Sequence, residues 1–267
     1  MKIFMKSIYT VLIIFAVSAV TFGQQVNQKD SNGKKNGLWQ VKYENDTLKS
    51  EGYYKAGKPI GLWKYFYETG QLMAFMEYLT DGVTSNFKLF DESGPRIAEG
   101  IYVNGKKDGP WYYYGIDSSK VSDEVYKNGM KNGEEKVYYP KTGKLFQSTN
   151  FSNGKKYGWW KQFYNDGIVK TDGTYKNDTL QGKVVYNYPN GKKNLEGNYV
   201  NGLREGEFFV YDEKGKLTET LHYKKGILDE KDLKRHMEGE NKTTYPEDII
   251  YQGGYEMYNP GSNGGGN

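Results

Sequence analysis

Short stretches in which every second residue is aromatic or aliphatic alternate along the chain with short stretches rich in glycine, lysine and asparagine. Trp63, Tyr65 and Tyr67 alternate with Lys64, Phe66 and Glu68, the period of two expected of a β-strand with one aromatic face. A turn follows at Glu68-Thr69-Gly70, with counterparts at Asn165-Asp166-Gly167, Pro189-Asn190-Gly191 and Glu213-Lys214-Gly215. These are hairpin residues because they tolerate positive φ. In a second kind of strand, Leu48, Ser50, Gly52 and Tyr54 share one face, while Lys49, Glu51 and Tyr53 share the other. A glycine-lysine loop then closes the unit.

The unit recurs. Blocks begin at Gly33, Gly57, Gly82, Gly105, Gly129, Gly154, Asp178 and Gly202, at steps of 24, 25, 23, 24, 25, 24 and 24 residues, and Gly226 follows the last. Self-similarity at such a period marks a repeat architecture. The cleanest copy starts at Gly57, and the block from Gly82 is degenerate. Eight such hairpins predict an all-β chain, an elongated and twisted antiparallel sheet of about sixteen strands. Tyr54, Tyr78, Tyr102, Tyr126, Phe151, Tyr175, Tyr199 and Tyr223 recur in register, which predicts one aromatic ladder. Trp39, Trp63, Trp111 and Trp160 predict a second, interrupted one. Gly52, Gly100, Gly173 and Gly197 each stand two residues before a ladder tyrosine, where a missing side chain lets a neighbouring ring lie across the backbone.

Gly52, Tyr54, Gly57, Lys58 and Gly61 together resemble the MORN repeat, in the variant form of the bacterial YwqK-like antitoxin family, and the loop from Asn153 to Trp160 repeats the pattern. The resemblance covers residues 33–226. It implies an extended sheet of successive hairpins and suggests an antitoxin role. The chain departs from the standard pattern in placing Trp39, Trp63, Trp111 and Trp160 where a final glycine is usual, so lipid binding proposed for the standard form is not carried over.

The flanks read differently. Residues 1–23 have the parts of a secretory signal: Lys2 and Lys6, an apolar run from Ile8 to Val20, and Thr21 and Gly23 at a cleavage position. Residues 24–32 read as a linker, 33–226 as the array and 227–267 as a cap and tail. Within that last segment Asp229 to Met237 reads as a short helix that covers the final hairpin, and the glycine-rich end as disordered. No other segment has the ~20 apolar residues of a membrane span. The chain has no cysteine, which excludes a disulfide framework and a lipid-anchoring thiol.

Charge and chemistry narrow the function. Of 37 basic residues, loss of Lys2 and Lys6 with the signal leaves 35 against 33 acidic ones, a net charge of +2. Nothing concentrates that charge as nucleic-acid binding requires. The two histidines, His222 and His236, have no cysteine or carboxylate constellation around them in sequence, so no catalytic, cofactor or metal site is indicated. The pattern points to a non-catalytic exported scaffold in the periplasm, outer envelope or surroundings of a Gram-negative bacterium. Its partner would be a protein, a glycan or an anionic envelope surface. Docking would use Trp39, Trp63, Trp111 and Trp160, or a lysine-rich loop edge of Lys34, Lys58, Lys106, Lys131 and Lys155 joined by Arg204. An immunity protein that masks a toxin is the alternative, and an enzyme the least supported reading. Amino-terminal sequencing of exported protein should find Gln24 first; an intact Met1 on a membrane-embedded product would reverse the export reading.

Overall fold

The computed structural model of the chain describes residues 25–238, so the expected signal and the glycine-rich tail lie outside the described residues. Nineteen strands form one sheet, and three of them are two-residue stubs at Met130–Lys131, Thr179–Leu180 and Ile227–Leu228. The other sixteen run from Gly37–Lys42 to Leu217–Lys224, each antiparallel to the next in sequence. This is the expected succession of eight hairpins.

Two kinds of turn alternate, and each explains its residues. The short turn has two residues, both left-handed: Ala56 and Gly57 at φ 50° and 83°, Asn104 and Gly105 at 51° and 73°, Asn153 and Gly154 at 50° and 83°. That is the type I′ geometry that matches the twist of flanking strands, and asparagine and glycine reach it at little cost. The longer turn closes through paired backbone bonds, for example from Tyr67 N–H to Gln71 O and from Gly70 N–H to Tyr67 O.

A bulge follows each regular short turn. Glu51 pairs with Lys64 and Tyr53 with Ile60, so Gly61, Leu62 and Trp63 together face Gly52. The left-handed φ of 61° at Gly61 makes the kink. Its product is close contact: a Cβ at Gly52 would lie 2.2 Å from the Trp63 ring, and the same test gives 2.3 Å for Gly100 against Trp111 and for Gly197 against Phe208. The indole nitrogens of Trp63 and Trp111 donate to Tyr53 O and Ile101 O, just beyond those glycines, at 3.2 and 3.1 Å. In the degenerate block a longer turn over Leu79–Val83 replaces the bulge, and Phe87 still arrives opposite Met76.

The two ladders form a single core on one face. Tyr54 sits edge-on between Trp39 and Trp63, with ring centroids 5.7 and 4.9 Å away, and Tyr102 meets Trp111 at 5.0 Å. Tyrosines thus fill the ~9.6 Å between rings two strands apart. At the C-terminal end aliphatic side chains take over, and Val184, Leu195, Phe208, Val210 and Leu221 pack with Tyr186 and Tyr199. Repeats are also stapled at the longer turns. The hydroxyls of Tyr43, Tyr67, Tyr139, Tyr164 and Tyr188 donate to the carbonyls of Phe66, Phe90, Phe163, Asn187 and Tyr211, each one repeat further on, at 2.7–2.8 Å.

Both ends of the described sheet are covered. Residues expected as a linker instead fold along the first strand: Asn27 N–H bonds Leu38 O, Asn36 N–H bonds Gln28 O, and Lys29 bridges Lys35. The edge strand gains backbone partners there, which is why the segment is not free. After the stub Ile227–Leu228 the chain turns into the helix Glu230–Glu238, one residue from the expected span. A double-mutant cycle tests the core contact. Gly100→Ala should lower stability by ~2 kcal/mol or more, and that loss should shrink in a Trp111→Ala background, measured by thermal and denaturant unfolding.

Candidate binding surface

The tryptophan ladder is an interior feature. Trp63, Trp111 and Trp160 are 5%, 1% and 7% exposed, and Trp39 is half-buried. Burial follows from the bulge, which lays each ring on the preceding strand. Three of the four side chains proposed from sequence as docking rings are therefore not presented to a partner, and Trp39 in the first strand is only partly covered.

The lysines divide into two columns by strand parity. Lys34, Lys58, Lys106 and Lys155 stand one residue after the turn glycine and are exposed along one edge of the sheet. Lys131 and Arg204 stand two residues after it, with Lys35, Lys107 and Lys156, and alternation turns that position to the aromatic face. There Lys35 lies over Trp39, Lys107 over Trp111, Lys131 over Phe151, Lys156 over Tyr175 and Arg204 over Tyr223, with 4.4–5.4 Å between charge and ring centroid. Cation–π contact thus roofs the core at its edge. Lys131 and Arg204 are removed from the exposed lysine edge for this reason, and Met130 and Leu203 occupy their places at the turn.

Lys131 does more than roof. Where the fourth and fifth repeats meet, the tryptophan and glycine places hold Glu135 and Glu124, and Lys131 bonds both, at 2.8 Å to Glu124. Burial pulls the Lys131 ammonium down, but these two carboxylates outweigh it and hold its pKa above the usual lysine value. Tyr126 donates to Glu124 as well, and Lys107 to Tyr113 at 2.6 Å. Burial pushes the Tyr113 and Tyr126 hydroxyls up and the Lys107 ammonium down. An ionic node therefore interrupts the ring ladder at the middle of the array, with every member paired to another.

The opposite face carries the exposed features. Cross-strand neighbours there form a column that crosses the sheet, including Gln40–Glu51, Glu51–Lys64, Lys88–Glu99, Asp123–Lys136 and Lys161–Asp172. Glu196 is its most buried acid: desolvation raises its carboxyl, yet bonds from Lys183, Lys193 and Tyr211 bring it down to about 2. Beside the column lie exposed apolar side chains, with Tyr53, Ile60 and Leu62 together near the N-terminal end and, near the middle, Tyr157 and Trp159 on one strand and Val125 three strands away. Tyr53 and Ile60 are cross-strand partners. The strand pattern showed that these residues face away from the ladder, but strength of hydrophobicity alone favoured the tryptophans. Among the described residues no group of three or more histidine, cysteine or carboxylate side chains could hold a metal ion, and no helix is long and apolar enough to cross a membrane.

With the geometry established, comparison with known proteins bears on the repeat itself. The family model described as MORN repeat variant matches residues 35–56, 59–78, 156–177, 180–201 and 204–225, so five segments of this chain are similar to that repeat. The stretch between the second and third matches contains the degenerate block and the ionic node. No curated protein matches the chain. Among solved structures, a mutant of TarM from S. aureus in complex with fondaparinux, α-GlcNAc-glycerol and UDP is 15% identical over 36% of this chain and 19% of its own, with a TM-score of 0.28. TarM itself is 14% identical over 44% of this chain and 20% of its own, also with a TM-score of 0.28. A TcdB2-TccC3-Cdc42 structure is 12% identical over 73% of this chain and 14% of its own, with a TM-score of 0.18. The chain thus spans about a fifth or less of these proteins, an overlap too small to bear on function.

One titratable pair fastens the C-terminal helix. The buried Asp232 carboxylate accepts from the His222 backbone N–H at 2.7 Å and contacts its ring Nδ1 at 2.9 Å, with Arg235 bonded to its other oxygen. The hydrogen bond to Asp232 raises the His222 pKa. Burial pushes the Asp232 carboxyl up, but the His222 ring and backbone bonds outweigh it and hold it below the usual range. The His222 contribution is complete below its unfolded pKa of ~6.5 and is lost as pH rises through the raised folded value. The Asp232 contribution is present above ~3.9 and lost as pH falls through the lowered one. Protection of the helix amides, taken relative to the intrinsic exchange rate at each pH, should therefore be greatest between ~4 and ~6.5 and fall above that window. His222→Ala should abolish the upper limb and lower protection within the window, while the backbone and Arg235 bonds to Asp232 remain.

Proposed function

We propose that this array of MORN-variant repeats is a non-catalytic exported scaffold that docks a protein partner on the sheet face opposite its core. One observation supports the reading: the sheet buries Trp63, Trp111 and Trp160 and turns Tyr53, Ile60 and Leu62 to solvent, with Leu62 48% exposed. An apolar cluster held on rigid strands and rimmed by Glu51 and Lys64 has the make-up of a protein interface, apolar at its centre and charged at its rim. An immunity protein masking a toxin in the envelope would be one such scaffold. Anionic surfaces fit less well, because Lys34, Lys58, Lys106 and Lys155 are interrupted along their edge by Val83, Met130, Thr179 and Leu203.

The test is capture from envelope extract by the mature protein, compared with Ile60→Ser/Leu62→Ser, a pair of exposed positions whose replacement should leave the unfolding temperature within a few degrees. The captured protein should be lost with this variant and kept when the four exposed lysines become glutamine. Capture that persists in the apolar variant but vanishes with the lysine changes, or with raised salt, would replace the protein interface by an anionic surface.

A further inference from the structure

A second feature of the outer face lies at the centre of the array, three repeats from the apolar cluster. Glu134, Leu145, Ser148, Trp159, Lys161 and Phe163 line a shallow depression of about 340 Å³, near the lower end of the ~300–1,000 Å³ typical of small-ligand sites. Trp159 is the exposed member among the five tryptophans, at 38%. The fold does not call for an indole there. Leu38, Leu62, Asn86, Pro110, Glu134, Lys183 and Glu207 hold the same place in the other repeats, a range from aliphatic to charged.

The polar groups around the indole are fixed in position. Ser148 is 4% exposed and donates to Glu134 Oε1 at 2.6 Å, while Lys136 pairs with Glu134 Oε2 at 3.2 Å. Lys161 pairs with Asp172 at 3.0 Å and is the cross-strand neighbour of Ser148. A carboxylate acceptor and an ammonium donor therefore flank the indole, each held by the protein and each still partly exposed.

This arrangement selects its occupant. An apolar peptide side chain would strip water from Glu134 and Lys161 without replacing its hydrogen bonds. Glu134 and Lys161 are already paired with Lys136 and Asp172, so neither an anion nor a cation finds an uncompensated countercharge there. A neutral ligand with one apolar face and a rim of hydroxyls satisfies all of it. Its C–H face would lie on the electron-rich indole, and its hydroxyls would exchange hydrogen bonds with the carboxylate and ammonium. We propose that the Trp159 depression binds a neutral saccharide, with a pyranose ring on the indole between Glu134 and Lys161. Tyr157, also exposed and two residues earlier on the same strand face, lies ~7 Å along the strand and extends the platform to a neighbouring sugar.

The experiment is titration of the mature protein with chitotriose and cellotriose, followed by the Trp159 indole N–H resonance and by calorimetry. At least one trisaccharide should shift that resonance saturably. Trp159→Ala should weaken binding by about tenfold or more, and Glu134→Gln by several-fold, with unfolding temperatures unchanged because both side chains are partly exposed. Ile60→Ser/Leu62→Ser should bind the sugar normally, which separates this site from the proposed protein interface. The proposal is overturned if neither sugar moves the indole resonance at about 10 mM, or if Trp159→Ala leaves the affinity intact. It is equally overturned if Trp159→Ala instead removes the protein captured from envelope extract, since Trp159 then belongs to the protein interface.

Discussion

The contact between a bulky ring and the bare backbone of the strand before it governs this molecule. A single sheet has no second layer to pack against, so its core must be built on one face from its own side chains. Laying Trp63 on Gly52, Trp111 on Gly100 and Phe208 on Gly197 does that, because a ring lying flat excludes water from two strands at once. The left-handed glycine of the bulge, the type I′ turn and the edge-on tyrosine all follow from placing that ring. Where the bulge is missing, a longer turn delivers Phe87 to the same place. The constraint is thus on the ring's position and not on one local backbone solution.

The same contact decides what the outside world meets. With the rings committed to the interior and the second-position cations folded over them, partners reach only the outer face and the turns. Regular repeats keep their outer face charged and internally paired, which discourages indiscriminate association. Exceptions are therefore informative. Tyr53, Ile60 and Leu62 expose apolar area near one end, and Trp159 exposes an indole at the middle. Neither departure is required by the repeat.

The ionic node between the fourth and fifth repeats shows how far the pattern can be stretched. Glu124 and Glu135 stand where a glycine and a ring belong, and Lys131 neutralises both. Desolvating three charges offsets much of their attraction, so such a node contributes less than the ring contact it replaces. The strands on either side of it remain paired in register. Sequence matches to the MORN variant lapse across this stretch while the hairpins continue.

Period and parity made the fold legible without coordinates. Twenty-four-residue spacing gave the hairpins, left-handed turn residues gave their ends, and glycines two places before a tyrosine gave the ring contacts at Gly52, Gly100 and Gly197, while Val184 is the nearest side chain to Gly173. Those signals are local, so one chain suffices to read them. The tyrosine staples were equally periodic, at Tyr43, Tyr67, Tyr139, Tyr164 and Tyr188, but their role depends on a carbonyl 23 or 24 residues away. Burial was the quantity the sequence did not carry. Aromatic character was compatible with packing or docking for Trp63 and Trp160, and only the bulge that drops each ring onto the preceding strand assigned them to packing. Lysine composition likewise suggested one basic edge, although Lys131 is a residue further from its glycine than Lys106 is from Gly105. A one-residue offset reverses the face of a strand, and whether the reversed lysine meets solvent or a carboxylate pair depends on strands far away in sequence. What surrounds a side chain is a property of the assembled sheet, and there the tertiary structure alone decided.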